Sequence, residues 1–341
     1  MTRRTRAVVL VALAILVLGI GTAGVASYLG LQRFSLLGAR TLDELALVPD
    51  DVEFVAYADV RQLMDSDLRY RLRPELRPPG SRDPLLEQTG IDFERDVDAV
   101  YVVVLPGSQA GPGARPLIVV RGRFDRSRIE ALVLSQNGAV TEYRGATLAT
   151  VEPNLGVAFV SEDVLAVGAP ASVQRLLDAR AGETGSIRGS DDVMRLVDRV
   201  ADADVWTVGR VDALRGRPGV QNLPAQLPAM TWFAARGDVA QGVSAAIHAE
   251  ARDAQAAEDL REIIRGIVAL ARVQVGQQPE FAELIDSIEM SSEGTTVSLA
   301  FSLSSQVLDK LGAFGSRVPA AMRLFQSPRP ARAGADAPPS I

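Results

Sequence analysis

The sequence predicts an α+β fold, in which an N-terminal transmembrane helix precedes two related halves of antiparallel sheet with helices packed on one face. Two observations lead to this prediction. An uncharged apolar run stands near the N-terminus, and the rest of the chain twice shows the order strands, helix, strands, helix. Because strands and helices are segregated in this order, antiparallel sheets are favoured over parallel ones. The 341 residues have room for two domains of ordinary size.

The N-terminal segment has the pattern of a membrane anchor. The arginine-rich residues 1–6 are expected to stay in the cytoplasm, and residues 7–31 form an uncharged apolar run. A membrane-spanning helix needs about 20 apolar residues, whereas the apolar part of a cleaved signal peptide usually has about 7–15. We therefore expect an uncleaved signal-anchor helix and an extracytoplasmic body, either periplasmic or at the cell surface. Gly24-Val25-Ala26 has the small residues of a cleavage site, so a cleaved and secreted body is the alternative.

A glycine motif lies inside this apolar run. Residues 19–24 match the dinucleotide-binding pattern GxGxxG, and Asp43 and Glu44 follow about 20 residues later. That motif belongs after a short strand, whereas this run has the length of a helix. We therefore interpret the small residues as a packing face. Gly19, Ala23 and Ser27 are spaced by four, which predicts a surface through which two such helices associate into a homo-oligomer.

The folded part divides into two related halves. The strand sequence at 51–60 recurs at 204–212 with the same Asp-Val start and the same central valine, which is Val55 in the first copy and Val208 in the second. The predicted segments are, in chain order, a linker 32–47, a first α+β repeat 48–186, a second α+β repeat 187–326 and a disordered tail 327–341 rich in Pro, Ala and Gly.

Each half contains predicted strands and capped helices. In the first half Asp125 is placed to cap a helix that Asn137-Gly138 ends, and in the second half Asp253 is placed to cap a longer helix. The loop 106–114 joins two apolar strands as a hairpin connection. Other elements are predicted at 116–124, 147–151, 157–160, 164–167, 170–181, 242–251, 287–291 and 295–303, with a last helix that begins near Ser304.

Composition excludes several chemistries. The chain has no cysteine, so thiolate catalysis, cysteine-ligated zinc and iron–sulfur clusters are excluded. It has one histidine, which excludes a multi-histidine metal site within one chain. The balance of 36 Lys+Arg against 42 Asp+Glu gives no basic footprint for nucleic acid. We predict no catalytic residue, no metal ligand and no cofactor, and we predict that the protein is not an enzyme.

His248 is the natural place to look for catalysis. In the predicted strand 242–251, Ser244, His248 and Glu250 point to one face. At about 3.3 Å per residue, however, Ser244 lies about 13 Å from His248, far beyond hydrogen-bond reach. A serine from elsewhere in the fold stays an open alternative. We interpret His248 as a solvent-facing residue on the polar side of an amphipathic strand.

Two charged groups of residues are candidate sites. Asp92, Glu94, Asp96 and Asp98 alternate, but Val97 and Val103 stand where a calcium loop needs glycine and an acidic residue, so we interpret the row as a solvated turn before a strand. The second group is a basic cluster that could contact anionic lipid headgroups or an acidic partner. This arginine loop contains Arg69, Tyr70, Arg71, Arg73, Arg77 and Arg82.

Two stretches resemble a family of uncharacterised bacterial proteins. The opening Val48–Val60 and the turn and strand at Gly90–Val100 are similar to segments of membrane-anchored extracytoplasmic proteins that carry domains of unknown function. The resemblance implies an anchored body outside the cytoplasm. It implies no activity, cofactor or site residue.

The function predicted from these observations is a non-enzymatic binding or scaffold module in the cell envelope. Its partners would be the membrane, through residues 7–31, and an unknown envelope protein or lipid. The alternative is a carrier or sensor of a hydrophobic ligand held between helices and sheet, which predicts a cavity lined by Ile263, Ile267, Leu299 and Phe301. A hydrolase that uses carboxylates alone is the third hypothesis, and it needs two acidic groups in one cleft.

Overall fold

The computed structural model describes residues 42–66, 84–107, 116–151, 155–211, 230–239, 243–275 and 285–303. The predicted anchor helix 7–31 with its Gly19, Ala23 and Ser27 face, the arginine loop, the predicted helix after Ser304 and the tail 327–341 lie outside these residues. No helix within the described ranges combines the length and the apolar character that crossing a membrane requires.

The described residues form one antiparallel sheet of twelve strands with helices on it. The strands are β1 (Phe54–Asp59), β2 (Val97–Val104), β3 (Leu117–Gly122), β4 (Ala139–Tyr143), β5 (Ala146–Val151), β6 (Leu155–Phe159), β7 (Val164–Gly168), β8 (Val205–Arg210), β9 (Met230–Asp238), β10 (Val243–Ala251), β11 (Glu289–Glu293) and β12 (Thr296–Leu303). The helices are α1 (Val60–Asp65), α2 (Pro84–Thr89), α3 (Phe93–Asp96), α4 (Arg126–Ser135), α5 (Pro170–Arg180), α6 (Asp191–Asp198) and α7 (Ala254–Val275), with 3₁₀ helices at Leu42–Leu47 and Ile187–Gly189.

The two halves share this sheet because their first strands pair with each other. The strand order is β11-β12-β10-β9-β8-β1-β2-β3-β7-β6-β5-β4, so β1 and β8 lie at the centre. Val55 is the partner of Val208 in the antiparallel register. These are the same two valines that the internal repeat aligns, so equivalent residues face each other. A local twofold axis therefore runs through this pair, perpendicular to the sheet.

Local signals in the sequence set most element ends. The carboxylate of Asp125 accepts a hydrogen bond from the backbone N–H of Arg128 at 3.0 Å, and that of Asp253 accepts one from Ala256 at 2.8 Å. Asn137, just after α4, has φ of 58°, in the left-handed region that ends helices. Strands β2 and β3, on either side of the loop at 108–115, pair as an antiparallel hairpin. The predicted caps and this hairpin connection are therefore confirmed.

Helices lie on both faces of the sheet, so the prediction that they pack on one face is wrong. Helix α5 buries Leu176 in a cluster with Tyr57 and Tyr101, whereas α4 buries Ile129 in a cluster with Phe159 on the opposite side. We call the α5 side face A and the α4 side face B. The strands of the first half are apolar on both sides, and such strands require cover on both sides. Because these strands do not alternate between apolar and polar residues, the sequence does not indicate on which face of the sheet each helix packs.

The second half is covered on face B alone among the described residues beyond β9. Helix α7 packs there in a cluster with Leu260 and Val297. On face A, α6 contacts β8 and β9. Farther out, the face A side chains His248 and Ser298 are half-buried and Ser302 is exposed. Among the described residues, face A is therefore closed over the first half and uncovered at the outer end of the second.

The segment before β1 is part of the folded body. Residues 42–47, which the sequence assigns to the end of the linker, form a 3₁₀ helix in which Leu45 is fully buried. Leu45 belongs to the same face A cluster as Leu176 and Tyr57. The chain therefore reaches the sheet several residues earlier than the predicted start of the first repeat at 48.

Candidate functional site

The largest opening that we describe is a groove at the outer edge of the first half. Its volume is about 820 Å³, and it opens to solvent where the ends of β4, β5 and β6 meet the start of α4. We call it the outer groove. Its lining mixes aromatic, aliphatic, cationic and acidic side chains, contributed mainly by Phe124, Arg126, Val140, Glu142, Phe159 and Glu162.

Arg126 forms a fixed wall of the outer groove. Its guanidinium carbon lies 5.3 Å from the centroid of the Phe159 ring, in the range of a cation–π contact. Its Nε donates to Glu130 Oε1 at 2.8 Å, and its Nη2 donates to the hydroxyl of Thr147. Arg126 therefore gives the groove a wall that is partly apolar and partly cationic, with Glu130 already paired to the cation.

Strand β4 borders the outer groove and is an edge strand. It pairs with β5 on one side, and no described strand pairs with its other side. Residues Ala139–Glu142 are exposed, and 37% of Val140 is accessible to solvent. Such an edge presents unpaired backbone N–H and C=O groups that can add a further strand. The groove and the edge together suit an extended polypeptide.

Two carboxylates, Glu142 and Glu162, also line the outer groove, as hydrolysis by carboxylates alone would require. A further acidic residue, Asp59, lies at the end of β1. Burial, with repulsion by Asp204, raises the pKa of Asp59 to about 6. Asp59 is 8% exposed and caps α1 by accepting from the backbone N–H of Gln62 at 2.8 Å. Its role in the described structure is to begin a helix.

His248 lies on face A of the second half, and its environment corrects the solvent-facing interpretation. The residue is half-buried, and its Nδ1 lies 2.8 Å from Ser298 Oγ on the neighbouring strand β12. Burial lowers the pKa of His248, and Arg199 and Arg236 lower it further. Ser244 does not reach it, as its spacing along β10 predicted. If the strand predicted at 295–303 had been paired with β10, Ser298 would have been identified as the hydrogen-bond partner of His248.

The His248–Ser298 pair lacks the carboxylate that would orient a catalytic imidazole. Glu250 is the acidic residue on the same face of β10. One of its oxygens accepts from Thr295 Oγ1 at 2.6 Å and the other from Thr296 Oγ1 at 2.7 Å. A nucleophile and base normally need a third group that holds the base in place. The pair is therefore a hydrogen bond between strands and does not complete a triad.

A smaller groove of about 290 Å³ lies near the opposite end of β10. Arg236 forms part of its wall, where it pairs with Asp202 at 2.7 Å and with Asp238 at 3.2 Å. Phe301 contributes to this groove, but Ile263, Ile267 and Leu299 line neither groove. Phe301 and Leu299 are buried, whereas Ile263 and Ile267 on α7 are half-buried.

A polar cluster inside the first half escaped the sequence analysis. Glu44, the acidic residue at the expected distance from the glycine motif, is 3% exposed and forms an ion pair with Arg121. It also accepts a hydrogen bond from Tyr101 at 3.4 Å. The ring of Tyr57 lies 4.5 Å from that of Tyr101 and 5.3 Å from that of Trp206. A single glutamate that precedes a predicted strand gives no sequence signal that its side chain is buried.

Burial raises the pKa of both tyrosines in this cluster. The negative charge of Asp59 adds to the effect at Tyr57, and that of Glu44 adds to it at Tyr101. Both hydroxyl groups therefore stay protonated at neutral pH and cannot act as bases. The cluster ties the 3₁₀ helix at 42–47 to the sheet, and its Glu44, Tyr57 and Tyr101 are buried.

The alternating acidic row serves the backbone, as the sequence analysis interpreted it. Asp92 caps α3 by accepting from the backbone N–H of Glu94 at 3.1 Å, and Asp96 accepts from the backbone N–H of Asp92 at 2.9 Å. Asp98 pairs with Arg61 at 2.6 Å. Within the part of the chain that the structure describes, no group of three potential ligands could hold a metal ion.

Comparisons with known proteins leave the family open. No protein-family model matches the chain, and no curated protein matches it. Among solved structures, "Structure of crystal form I of TP0453" is similar over 80% of this chain and 98% of that chain, with 12% sequence identity and a TM-score of 0.44. A likeness at that TM-score carries no argument about function.

Proposed function

We propose that this protein is a membrane-anchored, non-catalytic binding module whose body lies outside the cytoplasm. Residues 7–31 hold it at the membrane, and the outer groove receives an extended segment of another envelope protein. The observation that carries the proposal is the combination of an open groove of about 820 Å³ with the exposed edge strand β4. The arginine loop remains a second predicted contact, to lipid headgroups or to the same partner.

The geometry specifies how the partner would bind. Its backbone would pair with the free edge of β4, which gives affinity through main-chain hydrogen bonds. Side chains of a strand alternate between faces, so every second partner residue would point toward Val140 and Phe159 on face B. Since Arg126 is already paired, an apolar or aromatic side chain would fit this wall better than an anionic one.

Site-specific photo-crosslinking in living cells tests this proposal. A benzophenone amino acid placed at Val140 of the full-length protein should give a discrete covalent adduct with one envelope protein. The matched control carries the same group at Leu270, which is 49% exposed on α7 of the other half. We expect no such adduct there. With the crosslinker moved to Ala139, Val140→Arg should reduce the adduct several-fold, because it fills the groove with a charge.

The controls separate the proposal from its alternatives. Equal adducts from positions 140 and 270 would indicate nonspecific contact, and no adduct from position 140 would contradict the groove as the binding site. An adduct with a phospholipid from either position would favour the hydrophobic-ligand hypothesis instead.

A further inference from the structure

Face A has different side chains in the two halves. Over the first half it is apolar and closed by α5, whose Val173, Leu176 and Leu177 are fully buried. Over β10 and the part of β12 from Ser298 to Ser302 it carries small and polar side chains that are half-buried or exposed. We call this surface the open face, and its residues are Ser244, Ala246, His248, Ser298, Ala300 and Ser302.

The chain leaves the sheet at equivalent places in the two halves. In each half the central strand is the first strand, counted outward. The fourth strand is β7 in the first half and β12 in the second half, and it pairs with the third strand, which is β3 or β10 respectively. Both pairings are antiparallel, so β7 and β12 have the same direction relative to the local twofold axis. Helix α5 begins directly after β7 and lies on face A. The residues after Leu303 start from the corresponding point.

The sequence after Leu303 suits the same role. Val307, Leu308, Leu311 and Phe314 recur at the spacing of one helix face. The small side chains of the open face leave room for a helix to approach closely. Two of its polar groups are already paired, because His248 bonds to Ser298, and the neighbouring Glu250 bonds to two threonine hydroxyls. Covering polar groups that have hydrogen-bond partners costs far less than covering unpaired ones.

We propose that residues 304–326 of this same chain occupy the open face, where they cover the second half as α5 covers the first. The segment places Val307, Leu311 and Phe314 against the small residues of β10 and β12. The proposal is independent of the outer groove, which lies at the other end of the sheet.

Lys310 provides a specific probe, because it is the chain's only lysine. A carbodiimide joins an amine directly to a carboxylate that touches it. In the full-length protein in mild detergent, we expect an intramolecular link from Lys310 to Glu289 or Glu293, the exposed acids of β11 on face A. Lys310→Arg is the control that should abolish this link. A link found only in dimers would assign the open face to a second copy, and links only to first-half acids such as Glu183 would overturn the proposal.

His248 provides an independent readout, because it is the only histidine. Diethyl pyrocarbonate modifies accessible imidazoles, and we expect the rate at His248 to rise several-fold in Leu311→Asp. The matched control is Ala313→Asp, which adds the same charge on the opposite side of the segment and should leave the rate unchanged. Equal rates in wild type and Leu311→Asp would show that the segment does not cover this face.

Discussion

The two halves begin alike and end differently. In each, three strands lead outward from the central β1–β8 pair to a helix on face B, which is α4 in one half and α7 in the other. Along the chain, the hairpin that follows the face B helix is β4–β5 in the first half and β11–β12 in the second half. In the sheet, however, β12 occupies the position that β7 occupies in the first half. The first half inserts β6 and β7 between its third strand and that hairpin. As a result, β4 and β5 are displaced to the outer edge, where they form the outer groove.

This difference shows how a duplicated unit gains an accessible edge without a new fold. The hairpin of the second half pairs directly with β10 and stays close to α7. The hairpin of the first half also contacts its helix α4, but β4 is the outermost strand, and Val140 and Glu142 remain exposed beside Arg126. The inserted strands therefore separate a stabilised inner sheet from an accessible edge.

The largest expected effect comes from a comparison of a buried helix residue of the first half with an exposed helix residue of the second half. Leu176 is fully buried between α5 and the sheet, so Leu176→Ala should lower the free energy of unfolding by about 2–5 kcal/mol. Leu270→Ala, at a side chain that is 49% exposed on α7, should change it by less than about 0.5 kcal/mol. Urea unfolding of the full-length protein in detergent, followed by tryptophan fluorescence, measures both. Similar losses for the two variants would contradict the burial of Leu176 between α5 and the sheet.

A smaller effect should appear at the junction of the halves, where Asp59 meets Asp204. Burial raises the pKa of Asp59 from 3.8 to about 6, so the folded chain binds this proton more tightly than the unfolded chain does. The stabilisation is complete below pH 3.8 and is lost as pH rises through about 6. Above that, the buried charge costs about 1–3 kcal/mol relative to its protonated form.

Asp59→Asn isolates this contribution, because asparagine keeps an oxygen that can cap α1. Relative to wild type, the variant should gain stability between pH 4 and pH 7, as measured by urea midpoints across that range. Asp125→Asn at the exposed cap of α4 is the control and should show a smaller change. Parallel pH profiles for wild type and Asp59→Asn would show that the raised pKa has no effect on folding.

Much of the local structure could be predicted from the sequence because local signals set it. Asp125 and Asp253 cap helices, and Asn137 ends one, through contacts within a few residues. The pairing of Val55 with Val208 could not be predicted, because it joins two distant segments, although the internal repeat carried a hint of it. The faces of the helices could not be predicted either, since strands buried on both sides lose the alternation that marks a face.

The candidate site was less predictable than the fold. Val140 and Arg126 carried no motif, and what makes them notable is that the inserted strands leave β4 at an edge. His248 was noticed, but its partner Ser298 comes from another strand. Glu44 had drawn attention only through its distance from a glycine motif, whereas its actual partners are Arg121 and Tyr101.

The central claim is that a membrane helix presents this body, with its open edge strand, outside the cytoplasm. Protease treatment of spheroplasts that express the full-length chain with a C-terminal epitope tests it most directly. We predict that the chain sediments with membranes and that external protease removes the epitope without lysis. Recovery of the intact chain in the cytosolic fraction, or loss of the epitope only after lysis, would contradict the account.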